Sequence, residues 1–111
     1  HAKFTVPEKS PKAVMTKHFQ KVNLDSCVEW FVNFAAEICD RYFNFEINAK
    51  GTPHIGFGTG RSPNRYHIPD YNPEIFEIES LMKDSGFILK LYIPILFRGI
   101  CTSLLHIKLF S

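Results

Sequence analysis

Residues 26–43, SCVEWFVNFAAEICDRYF, constrain the fold more than any other stretch of the chain. Laid out at about 100° per residue, Ser26, Glu29, Asn33, Glu37, Asp40 and Arg41 fall within an arc of about 120°. Val28, Trp30, Phe31, Val32, Phe34, Ile38 and Tyr42 take the rest of the circumference. The spacing predicts a helix. A helix this apolar needs cover on two sides, from a sheet on one and from a second helix or another subunit on the other. Ser26 and Glu29 also have the spacing of a capping box, in which hydroxyl and carboxylate satisfy each other's orphan backbone amides.

On either side of that stretch the periods are read as follows. Phe4 to Val6 is a short β-like piece ended by Pro7, so residues 1–9 form an edge strand or a loose tail. Ser10 and Pro11 start a first helix running to about Val22, with Val14, Met15, His18, Phe19 and Val22 at helical spacing. It is expected to lie antiparallel to the long helix, with His18 at the boundary of its apolar stripe. After Tyr42 the period becomes two. Phe43, Phe45 and Ile47 alternate with Asn44, Glu46 and Asn48, which predicts a strand with one wet face. Lys50 and Gly51 supply a turn, and His54 to Gly58 returns as a second strand. Asn72 and Pro73 cap and begin a third helix, with Ile75, Ile78, Leu81 and Met82 on its buried side and Gly86 closing it. Phe87 to Ile93 and Leu105 to Leu109 alternate again as a second hairpin. The expectation is a single α+β domain over residues 1–111. It has a mainly antiparallel sheet of about four strands with helices on one face, in the order α-α-β-β-α-β-β.

Composition narrows the function classes. A chain of 111 residues with 45% hydrophobic residues can bury one core without staples. Cys27 and Cys39, twelve residues apart in the expected helix, would stand about 18 Å apart and could not bond. The third cysteine leaves an odd count, so a reduced, cytoplasmic protein is expected. The leading His1 reads as a tag remnant and carries no functional argument. Lys90, Arg98, His106 and Lys108 interrupt the apolar C-terminal run, so it does not read as a membrane span. The charge is segregated. Lys3, Lys9, Lys12, Lys17 and Lys21 face only Glu8 in the first 21 residues, whereas Asp70 to Asp84 holds five acids and a single lysine.

One constellation resembles a site: His54 to His67, with Gly56, Gly58, Gly60, Arg61, Asn64, Arg65 and Tyr66 between. Glycines expose backbone amides and arginines offer forked donors, which suits a phosphate. The run lacks the lysine followed by Ser or Thr of a P-loop and the glycine spacing of a dinucleotide fingerprint. His54, His67 and Arg61 would be the base, acid and cation of a metal-independent ribonuclease, with Arg65, Tyr66, Asn64, Gly58 and Gly60 contributing to binding. Cys101 and His106, five apart on a strand, point to opposite faces and make no nucleophile–base pair. Drawing His54, His67 and Asp70 as metal ligands finds no support in motif spacing, and no metal or cofactor is expected.

The reading that follows is a small intracellular, non-enzymatic protein-interaction module of inhibitor, immunity or adaptor type. Its partner is expected to be another protein or a second copy of itself, with no membrane involved. A nucleic-acid-binding or ribonuclease domain built on residues 54–67 is the alternative.

Overall fold

The computed structural model describes residues 1–17, 20–33, 36–38, 40–61, 63–67 and 77–92. These residues form two antiparallel sheets and contain no α-helix. The strands are β1 (Ala2–Pro7), β2 (Cys27–Val32), β3 (Tyr42–Asn48), β4 (Pro53–Gly58), β5 (Arg65–His67), β6 (Glu77–Lys83) and β7 (Gly86–Tyr92). One sheet has the order β1-β7-β6, the other β2-β3-β4-β5. The expected α+β order is therefore replaced by a β-sandwich.

Each expected helix fails for a physical reason. In residues 27–32 the inward positions are Val28, Trp30 and Val32, and their neighbours Glu29 and Phe31 are exposed. That is a period of two, supported by β-branched and aromatic residues that fit a pleated surface. The capping box dissolves with the helix. Ser26 accepts a bond from the Lys12 amide at 2.9 Å and donates one to the Glu8 carboxylate at 2.7 Å. Residues 11–17 form no helix either, and among the described residues nearby the helical turn is a 3₁₀ turn at Val22–Leu24. Val14, placed on the buried side of the first helix, is 58% exposed. Where the third helix was expected, β6 pairs with β7 in register, Ile78 opposite Leu91 and Met82 opposite Phe87. The Asn72–Pro73 cap and the final strand from Leu105 lie outside the described residues.

The core is filled by alternate residues of both sheets. Phe43, Phe45, Ile47 and Ile55 from one meet Phe87, Leu89 and Leu91 from the other. Phe45, Ile47, Ile55 and Leu89 are fully buried, each side chain contributing about 1.5–3 kcal/mol over exposure. Trp30 bridges the sheets, 6.3 Å from the Phe4 ring and 5.7 Å from Phe45. β1 runs along β7, pairing Phe4 with Leu89.

The described residues between Glu8 and Ser26 leave β1 and strap across one end of the four-stranded sheet. Asp25 fastens it. One carboxylate oxygen accepts the Val14 amide at 3.0 Å, the Met15 amide at 2.8 Å and the Asn48 side-chain amide at 2.9 Å. The Met15 carbonyl in turn accepts from Asn48 and from the Thr52 hydroxyl. Burial alone would raise the Asp25 carboxyl. The hydrogen bonds from Met15, Asn48 and Val14, with Lys12 nearby, outweigh it and hold the group below its ordinary value of 3.8. No helix among the described residues is long and apolar enough to cross a membrane.

Candidate functional site

Strand alternation puts Phe43, Phe45 and Ile47 into the core, so Tyr42, Asn44 and Glu46 lie on the outer face of the same sheet. Register carries that face across four strands. Glu29 on β2 stands opposite Glu46 on β3, which stands opposite His54 on β4. In the next row Phe31, Asn44, Gly56 and His67 line up across β2 to β5, and beyond it Tyr42, Gly58 and Arg65. Residues distant in sequence thus form one patch.

Arg65 is the best-fixed member. Its Nε donates to the Gly60 carbonyl at 3.2 Å, Nη1 to Asn44 Oδ1 at 3.1 Å and Nη2 to the Tyr42 hydroxyl at 3.5 Å. The guanidinium carbon lies 6.0 Å from the Tyr42 ring centre. Gly56 makes this path possible, since a Cβ there would stand 2.6 Å from Arg65 Cδ. Guanidinium groups only donate, so the Asn44 oxygen must face Arg65. Asn44 Nδ2 is consequently turned away, buried, with no partner among the described residues. Phe31, 52% exposed, meets Tyr42 edge-on at 5.7 Å and gives the patch an aromatic border.

Beside this arrangement sits a carboxyl pair. Burial pushes Glu46 up to about 7, the adjacent hydrogen-bonded Glu29 carboxyl adds to the rise, and Arg65 partly offsets it. Glu46 Oε2 is 4.0 Å from His54 Nδ1. The same nitrogen faces the Gln20 carbonyl of the strap at 3.1 Å, while His54 Nε2 meets His67 Nδ1 at 2.8 Å. At the end of β4 and β5 an open cleft of about 400 Å3 adjoins the patch, lined by Arg41, Thr59, Asn64, Arg65 and Tyr66 among others.

The structure distributes the residues singled out in the sequence unevenly. His54 and His67 come together, and Arg65 lies on the same face. Arg61 and Asn64 are exposed in the connecting turn, where the Asn64 amide bonds the Arg61 carbonyl at 2.8 Å. Tyr66, 62% exposed, belongs to the opposite face of β5, in line with Phe57. Gly58 accommodates the Asn64 backbone, which a Cβ would strike, and a Cβ at Gly60 would meet nothing. Sequence reasoning missed Glu29, Phe31, Tyr42, Asn44 and Glu46 as site residues. The signal was the two-residue alternation of residues 28–32, overridden there by a helical count.

A β-sandwich that holds a guanidinium, an amide and a carboxyl pair in fixed positions beside two aromatic rings has the features of a small-ligand binding module. The sequence comparison gives the class its family: residues 1–86 match carbohydrate-binding family 9, and the chain belongs to that family. No curated protein matches the chain, and no solved structure does. The family match overturns the intracellular interaction-module reading and the RNA-binding alternative, and it gives no support to a protein partner. The geometry explains why the basic loop misled. Arg65 holds three of its five donors within the fold, and Glu29 and Glu46 on the same face oppose a polyanion.

Proposed function

We propose that this chain is a sugar-binding module that takes its ligand on the outer face of the β2-β3-β4-β5 sheet. The observation that carries the reading is the fixed Arg65–Asn44–Tyr42 arrangement next to the Glu29–Glu46 pair. A sugar hydroxyl both donates and accepts, so it can use a carboxylate and a guanidinium at once. Vicinal hydroxyls match the fork of either group. The apolar C–H face of a pyranose suits the exposed edge formed by Phe31 and Tyr42, which supplies contact area at low entropic cost. Groups held by the fold before the ligand arrives do not have to be ordered on binding, which favours affinity.

The sharing of work follows from the positions. Glu46 and Glu29 accept from hydroxyls through the carboxyl oxygens not used in the bond between them. Arg65 donates along its remaining edge, and Asn44 holds it there. Phe31 is the stacking surface nearest to solvent.

An NMR titration with a panel of neutral hexoses, pentoses and soluble polysaccharides tests this. Binding is expected to move amide resonances of β2 to β5, and Arg65→Ala and Phe31→Ala should each weaken it by at least about tenfold, or 1.4 kcal/mol. Shifts confined to the β1-β7-β6 sheet, or unchanged affinity in both variants, would put the ligand elsewhere.

A further inference from the structure

We propose that His54 Nε2 and His67 Nδ1 form a chelating pair for a divalent transition-metal ion of the imidazole-preferring class, zinc, nickel or copper, which ties β5 to β4. The two nitrogens are 2.8 Å apart, in hydrogen-bond contact, with the ring centres 4.8 Å apart and the planes tilted at 51°, so one ion could reach both. The tautomer of His54 follows from what lies at its other end. The Gln20 carbonyl, 3.1 Å from Nδ1, can only accept, and the Glu46 carboxyl oxygen lies 4.0 Å from the same atom. Nδ1 therefore carries the proton, and the Nε2 lone pair accepts from His67 Nδ1–H; binding the ion displaces that proton to His67 Nε2 or to solvent and leaves both facing nitrogens as ligands. An imidazole that gives one N–H to a backbone carbonyl or carboxylate while its second nitrogen faces another imidazole has the arrangement of a metal-binding histidine.

The backbone supplies the rigidity. Both residues sit on paired strands, with Gly56 opposite His67 in register. The His54 side chain is only 15% exposed. Two imidazoles favour zinc, nickel and copper and offer nothing to calcium or magnesium, which take oxygen ligands. No group of three or more His, Cys, Asp and Glu side chains among the described residues is placed to hold a metal, so the remaining positions fall to water or to oxygen atoms of a bound molecule. The ion would close the loop between β4 and β5 and so fix the strand that carries Arg65. This assignment stands apart from sugar binding and is tested without a sugar.

The experiment is a titration of the full chain carrying His1→Ala, which removes the terminal imidazole, with ZnCl2 or NiCl2 at about pH 7.5, where protons do not outcompete the ion. Ring carbon–proton spectra resolve each histidine, and calorimetry gives the stoichiometry. One equivalent should shift or broaden the rings of His54 and His67 together, while CaCl2 and MgCl2 leave them in place. His54→Gln and His67→Gln should each lower affinity by at least the roughly tenfold that losing an outer partner of a ligand costs. The thermal midpoint of the parent should rise with saturating zinc, and that of either variant should not. Rings that stay in place with excess zinc and nickel overturn the proposal, leaving a plain imidazole–imidazole hydrogen bond. Stoichiometric binding retained in both glutamine variants overturns it too. The ring spectra of the parent decide the matter even if a variant fails to fold.

Discussion

Replacing Asp25 by alanine removes the acceptor on which the Glu8–Ser26 strap is hung. Three bonds go, from the Val14 and Met15 amides and from Asn48. Asn48 keeps its bond to the Met15 carbonyl at 2.8 Å, so the main loss is two backbone donors left without a partner. Each bond to a charged acceptor is worth about 1.5–3 kcal/mol, and these two, only partly buried, lie toward the lower end. The expected total is about 3–5 kcal/mol, a large share of the roughly 5–15 kcal/mol that holds a small domain folded. Urea denaturation should show it directly, and the thermal midpoint should fall by at least about 12 °C.

The pH dependence of the same group gives a second, independent arm. Its folded value lies below the ordinary 3.8, so its contribution is complete above that value and is lost as pH falls through the folded one. The stability gap between the parent and Asp25→Asn should therefore hold steady from about pH 7 to pH 5 and narrow below about pH 4. A loss under about 1 kcal/mol for the alanine variant, or a gap that does not change with acid, would refute the account of how the strap is held.

Other expectations are more local. Gly56→Ala puts a methyl group 2.6 Å from Arg65 Cδ, so Arg65 should leave Asn44; sugar affinity is expected to fall at least about tenfold while the circular dichroism spectrum is retained. Gly51 turns the β3–β4 hairpin at φ +86°, and a Cβ there would meet Ile78 and Ser80 at 3.3 Å. Gly51→Ala should cost at least about 1–2 kcal/mol by urea denaturation. Burial, then the neighbouring Glu29, Glu46, Asp25 and Glu8, push the Cys27 thiol up to about 11. Iodoacetamide at about pH 8 should thus leave Cys27 unmodified in the native protein and label it after unfolding, as read by peptide mass spectrometry.

How much of this was legible depended on whether one period could mimic another. Phe43, Phe45 and Ile47 alternate with three polar residues, and only a strand fits, so β3 could be read directly. Residues 28–32 are ambiguous because Phe31 sits on the outer face, making both sides apolar and letting a helical count absorb them. Ser26 and Glu29 added a false start signal, since the hydroxyl and carboxylate serve the strap and the sheet face instead. Ile78, Leu81 and Met82 match a helical stripe as well, yet of the three Ile78 alone packs against the core, and Leu81 and Met82 are 50% and 43% exposed. The patch was harder still. The run from 54 to 67 drew attention by composition, but Glu29, Asn44 and Glu46 join it only through the pairing of β2 with β3 and β3 with β4. No local motif encodes that pairing, because its register is set by which residues the two sheets bury together.

β3 lies at the centre of that arrangement, with the core on one side and the patch on the other. An insertion of one residue outside the paired strands leaves their facing unchanged, but the same insertion within Tyr42–Asn48 would turn the strand inside out. Phe43 and Phe45 would face water, Asn44 and Glu46 would be driven into hydrocarbon, and folding and recognition would fail in one step. The module can therefore vary freely at its rims in length as well as sequence, while the seven residues of this strand admit exchange of side chains and no change of count.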